Sequence, residues 1–113
     1  MMAVTSHVLD LELGRPASGV TVRLDQLDAG GRWQTVGEVS TDEDGRTGNL
    51  LPGENVDVGT YRVAFDTGAY WRCLGRIAFY PEVYVVFRVE KLEDKYHIPL
   101  LLSPFGYSTY RGS

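Results

Sequence analysis

Cysteine is nearly missing from this sequence. Cys73 stands alone among 113 residues, so no internal disulfide can form. Basic residues are few and scattered: eleven Lys and Arg face fifteen Asp and Glu, a formal net charge of −4. The basic stripe that neutralises a phosphate backbone is absent, which excludes nucleic acid as a partner. No apolar run approaches the ~18 residues of a membrane span, so no membrane partner is expected. The opening MMAVTSHVLD has no basic stretch followed by an apolar one, and no peroxisomal tail follows at the other end. With the unpaired thiol, these absences predict a cytoplasmic protein. No Gly-rich phosphate loop and no G-x-S-x-G elbow is present. Asp42, Glu43 and Asp44 lack the other ligands and the closing Glu of a calcium loop. Two distant histidines without Cys, Asp or Glu at ligand spacing do not make a metal site. No metal and no organic cofactor is therefore expected, and Cys73, in an apolar stretch, is expected as a buried, inert thiol.

What is present is ordinary in amount and orderly in pattern. Apolar residues make up 43% and charged ones 23%, enough for a single domain over residues 1–113 with a real core. Gly and Pro recur every ten or so residues, and the segments between them alternate with period two, the mark of an all-β antiparallel sandwich or barrel. Strands are expected at about 3–11, 20–27, 33–41, 59–66, 82–91, 97–103 and 105–112. AGG at 29–31 makes a hairpin of the second and third, and GRPASG and DEDGR read as turns. At 67–75 the period breaks; Thr67 can cap a short helix and Gly75 can end it.

Period two also sorts side chains by face. With Ile98, Leu100 and Leu102 inward, His97, Pro99 and Leu101 point out. Phe105, Tyr107 and Thr109 then match the core side, leaving Gly106, Ser108 and Tyr110 outside. In the first strand Val4, Ser6 and Val8 make one face and Thr5, His7 and Leu9 the other; pattern alone does not choose between them. The outer face of the last two strands, with Pro99, Leu101 and Tyr110, is unusually apolar, which suggests burial against another subunit.

Four stretches, SHVLD (6–10), TDEDGRTG (41–48), HIPLLLSP (97–104) and the terminal YRGS (110–113), together resemble the transthyretin-related family, in particular its hydrolases of 5-hydroxyisourate. The likeness runs over essentially the whole chain, and the terminal Tyr-Arg-Gly-Ser is the pattern that separates those hydrolases from the hormone carriers. The resemblance implies an eight-stranded sandwich with a short helix after the fifth strand, and a homotetramer built as a dimer of dimers. It implies active sites in the central channel, which puts His7 on the outer face and lines the channel with Thr5, Leu9, Pro99, Leu101 and Ser108. It implies a small purine derivative as substrate: 5-hydroxyisourate, whose six-membered ring is opened at an amide bond on the way from urate to allantoin.

The residues it singles out suit that chemistry. Amide hydrolysis needs a base near neutral pH, and His titrates at ~6.5. Arg46 offers a fixed fork of donors to a developing oxyanion. The expected catalytic set is His7, Arg46, His97 and Ser113, with Tyr110, Arg111 and Gly112 joining His7, Arg46 and Ser113 in holding substrate. Which imidazole takes the proton stays open, as does whether Ser113 acts through its hydroxyl or its carboxylate. The alternative is a carrier binding a small aromatic ligand in the same channel, which would need neither two channel histidines nor Arg46.

Overall fold

The computed structural model describes residues 2–51, 53 and 56–113. In chain order the elements are β1 Ala3–Asp10, β2 Arg15–Pro16, β3 Thr21–Leu27, β4 Trp33–Ser40, β5 Gly59–Phe65, α1 Thr67–Cys73, β6 Val83–Val89, β7 Lys95–Ser103 and β8 Gly106–Thr109. The strands form two sheets, β2-β1-β7-β8 and β4-β3-β5-β6. Val4, Val8, Leu100 and Leu102 of the first sheet share one buried cluster with Val22, Leu24, Tyr61 and Phe65 of the second. No helix among the described residues is long and apolar enough to cross a membrane.

The expected all-β sandwich with one short helix is what forms, but it is not wholly antiparallel. β1 and β7 pair in parallel, with Thr5 opposite His97 and His7 opposite Pro99. Two strands so far apart in sequence need no tight turn, so nothing local dictates their relative direction. The sheet is mixed, and its two histidine-bearing strands run side by side. β2 is a two-residue strand inside what reads as a plain turn, pairing Pro16 with Leu9 and Arg15 with Asp10.

The face assignments hold for β1 and β7. In β1, Val4, Ser6, Val8 and Asp10 are buried while Thr5, His7 and Leu9 are half-buried. The two inward polar groups are satisfied: the Ser6 hydroxyl donates to the Ile98 carbonyl at 2.7 Å. Asp10 accepts the Glu12 and Leu13 amides, each at 2.9 Å, and the Tyr70 hydroxyl at 2.6 Å. Burial and the Asp10 carboxylate both push the Tyr70 hydroxyl pKa up, so it remains a donor.

Three expectations need correction. The helix cap is Asp66, whose carboxylate accepts the Ala69 amide at 3.1 Å; the Thr67 hydroxyl instead donates to the Tyr80 carbonyl at 2.6 Å. Cys73 is exposed. Trp71 occupies the inward position of α1, and Cys73 lies about 200° round the helix from it. Phe105 and Tyr107 are exposed by 75% and 42%. Tyr107 and Thr109 do stand opposite Leu102 and Leu100, but β8 is an edge strand, and a groove of about 250 Å³ stays open between Thr109 and β6.

On the second sheet a β-bulge between Leu24 and Asp25 turns Asp25 into a site with 1% exposure. Arg23 Nε and Arg62 Nε bond its carboxylate at 2.9 and 2.7 Å, and the Thr35 hydroxyl donates at 3.0 Å. Burial alone would raise the Asp25 pKa; the three donors outweigh it and hold the carboxyl below its usual range.

Candidate active site

β1 is flanked on both sides. β7 lies along one edge. Along the other runs the segment after the DEDGR turn: Val8 N–H bonds the Gly45 carbonyl at 2.8 Å, Thr47 N–H the Ser6 carbonyl at 3.2 Å, and Leu50 N–H the Val4 carbonyl at 2.8 Å. Gly45 makes this approach possible. Its φ is +75°, and a Cβ there would sit 2.4 Å from the Val8 carbonyl oxygen, which no side chain tolerates. Asp42 closes the turn by accepting the Asp44 and Arg46 amides at 2.9 and 3.0 Å. The result is an antiparallel bridge between His7 and Arg46, so the guanidinium leaves the segment on the histidine face.

The carboxy-terminal segment closes the opposite side. After Thr109 the strand pairing with β7 lapses, then resumes in the same register as a bridge between Gly112 and His97, where Gly112 N–H bonds the His97 carbonyl at 2.8 Å. Gly112 lies flat on the imidazole: a Cβ there would be 2.5 Å from His97 Cδ2 and 3.2 Å from Pro99 Cγ. This cover also explains why Pro99, although on the outer face, is buried. Across β1, the Thr5 hydroxyl and His97 Nδ1 are 2.8 Å apart. His7 turns its Nε2 to the Asp44 carbonyl at 2.8 Å; a carbonyl only accepts, so that nitrogen carries the proton.

One open groove of about 460 Å³ collects Arg46, His97, Arg111, Gly112, Ser113 and Thr5. Burial lowers the His97 pKa, and the charges of Arg46 and His7 lower it further, while a main-chain bond with Thr5 pulls the other way. The imidazole is therefore neutral, and able to accept a proton, at pH values where a free histidine begins to charge. Among the described residues no carboxylate lies within ion-pair distance of Arg46.

Not every expected site residue arrives here. His7 borders the groove without lining it; Leu9, Leu101 and Ser108 follow on the same face of the sheet, opposite one another in register. Arg111 is held over the Tyr96 ring at 4.8 Å and lies 3.9 Å from Asp94, which draws it to the rim. Tyr110 lines the apolar groove beside Val85, Phe87 and Tyr96 rather than the histidine groove. Lys95 and Gly48 line the histidine groove and were not anticipated. For Lys95 the signal was available: it stands two residues before His97, on the same face of the same strand. Among the described residues no three His, Cys, Asp or Glu gather to hold a metal ion.

The sequence profile of the HIUase/Transthyretin family matches residues 4–112. This chain belongs to that family. The family includes proteins with different names at comparable likeness. A 5-hydroxyisourate hydrolase of Mus musculus is 46% identical over 97% of this chain and 94% of its own length. The structure of Klebsiella pneumoniae 5-hydroxyisourate hydrolase superposes with a TM-score of 0.87 at 32% identity, covering 100% of both chains. Transthyretin from Sparus aurata superposes with a TM-score of 0.92 at 35% identity, covering 97% of this chain and 96% of its own. HIUase/transthyretin architecture alone therefore does not separate hydrolysis from carriage, and the side chains of the groove must decide.

Proposed function

We propose that this chain hydrolyses 5-hydroxyisourate, opening the six-membered ring at an amide bond on the route from urate to allantoin. The observation that carries the reading is the pairing, in one open groove, of an imidazole whose pKa is lowered by burial with an Arg46 guanidinium that has no carboxylate within ion-pair distance among the described residues. A histidine takes a proton from water as the water oxygen attacks the amide carbon. Arg46 faces the oxyanion that develops, where charge-assisted donors act most strongly. Collapse breaks the C–N bond, and the imidazolium returns its proton to the departing nitrogen, leaving a ureido group and a carboxylate. Ser113 and Gly112 bound the cleft. A carrier of an aromatic ligand would have no use for a proton acceptor placed beside a cation.

In this reading the groove is completed by other copies in a tetramer, a dimer of dimers. Two features support this: the apolar outer face carrying the half-buried Leu9 and Leu101, and the exposed edge residues Val86 and Tyr107, 59% and 42% accessible. The test mixes the protein with freshly generated 5-hydroxyisourate and follows the loss of near-ultraviolet absorbance. Decay should accelerate in proportion to protein concentration, and His97→Ala or Arg46→Ala should slow turnover ~10²-fold or more. Decay no faster than the spontaneous rate would reject the proposal.

A further inference from the structure

The two histidines are not equivalent, and the difference lies in what holds each ring. His97 sits between β1 and the carboxy-terminal segment, with Nδ1 2.8 Å from the Thr5 hydroxyl and Cδ2 against Gly112. Turning the ring over would exchange Nδ1 with Cδ2, losing the Thr5 bond and setting a polar nitrogen on the glycine. The orientation is therefore fixed. Nε2, next to Cδ2, has no hydrogen-bond partner among the described residues and is the ring nitrogen left for the groove. Burial, then Arg46 and His7, disfavour the imidazolium, with Lys95 and Arg111 at the rim of the same groove, so the chemistry depends on which nitrogen of the neutral ring carries the proton.

We propose that Thr5 is a positioning residue that holds His97 as its Nδ1-protonated tautomer, making Nε2 the atom that accepts the proton of the attacking water. The Thr5 hydroxyl has no other partner among the described residues and, able to donate or accept, accepts from Nδ1 in the tautomer proposed. Thr5 also meets the ring through its main chain in a way that favours a bound proton, and a main-chain carbonyl can only accept. His7 is the opposite tautomer, with Nε2 protonated toward the Asp44 carbonyl, and it does not line the groove. Thr5 thus distinguishes two imidazoles that sequence leaves interchangeable, and assigns the base to His97. The assignment of Nε2 as base rests on the hydrolase reading; the tautomer does not.

Nitrogen NMR of uniformly labelled protein, above the pH at which His97 titrates, reads the tautomer directly. The expected result is a protonated-type signal at Nδ1 and an unprotonated-type signal at Nε2. In Thr5→Val the ring should populate both tautomers and kcat should fall about tenfold with KM little changed; Thr5→Ser should restore both. An unprotonated Nδ1 in the wild type overturns the proposal whether or not Thr5→Val folds. So does a folded Thr5→Val with unchanged tautomer and kcat. A wild type that shows the expected signals but fails to accelerate decay of 5-hydroxyisourate overturns the role of Nε2 and the hydrolase reading together, leaving the hold of Thr5 on the ring in place.

Discussion

Replacing Gly112 by Ala adds one methyl group and tests whether the carboxy-terminal segment belongs to the site. Gly112 is not among the residues with positive φ, so the backbone itself accepts alanine and only space is at issue. The new Cβ would stand 2.5 Å from His97 Cδ2 and 3.2 Å from His97 Cγ and Pro99 Cγ. Carbon contacts are comfortable at ~3.5–4.0 Å, so something must move by about 1 Å. Overpacking of this kind costs ~1–3 kcal/mol. The segment is tied to β7 at this point by the Gly112 to His97 main-chain bond of 2.8 Å, worth only ~0.5–1.5 kcal/mol net. Lifting the segment off is thus the cheaper response, and the core beneath is left intact. Gly112→Ala should unfold within about 1 kcal/mol of wild type, because that bond is most of what is lost. A misplacement of about 1 Å in the wall of the site should still lower kcat/KM by ~10²-fold. Denaturant melts and the near-ultraviolet decay assay measure the two effects separately. Wild-type kcat/KM in a folded variant would refute the claim that this glycine shapes the cleft. A loss of several kcal/mol would refute the claim that the segment is only a local wall.

Deleting residues 110–113 should abolish turnover while leaving secondary structure and thermal midpoint close to wild type, by circular dichroism, since Tyr110, Arg111 and Ser113 are exposed. His97 should titrate below ~6.5: its folded pKa is depressed by burial, then by Arg46 and His7. Its contribution to stability is then whole above ~6.5 and declines as pH falls toward the folded value, and the acid limb of kcat/KM should lie below ~6.5 as well. Arg46→Gln should raise the NMR midpoint only part of the way, because burial, the larger cause, remains; a wild-type midpoint at or above ~6.5 would contradict the reasoning. Asp25→Ala should cost about 2–3 kcal/mol in denaturant melts, less than a fully buried pair because Arg23 and Arg62 reach water and can be rehydrated. The Asp25 carboxyl is held below its usual range, so its contribution is present above ~3.9 and lost as pH falls through the lower folded value.

Much of the fold was legible because period two is a local signal. The inward set Ile98, Leu100 and Leu102 is written in a single strand and is buried as its pattern requires; in the first strand the pattern separates Val4 and Val8 from Thr5 and His7, and the family resemblance is needed to say which side is inward. What a strand pairs with is not local. The parallel join of β1 to β7 comes from packing across the whole molecule, and no turn between them records it. Edges are equally invisible: Tyr107 has the phase of a core residue and the exposure of a surface one, because phase says which way a side chain points and not whether anything lies there.

The groove shows the same division more sharply. His7, Arg46, His97 and Gly112 come from four separate stretches, and only the resemblance of those stretches to a known family joined them on paper. In the structure they meet for a reason each stretch carries separately: Gly45 lets the turn close onto β1, and Gly112 lets the terminal segment close onto β7. Two glycines, one needed for its φ and its clearance, the other for clearance alone, bring a guanidinium and a strand of backbone to opposite sides of a histidine pair. Tyr110 misses the groove because the segment leaves strand geometry there and regains it at Gly112, a lapse that alternation cannot foresee. The chemistry proposed for this chain therefore depends less on its having two histidines than on the absence of a side chain at two positions. Enlarging either glycine should silence the groove although no proposed catalytic residue is itself substituted.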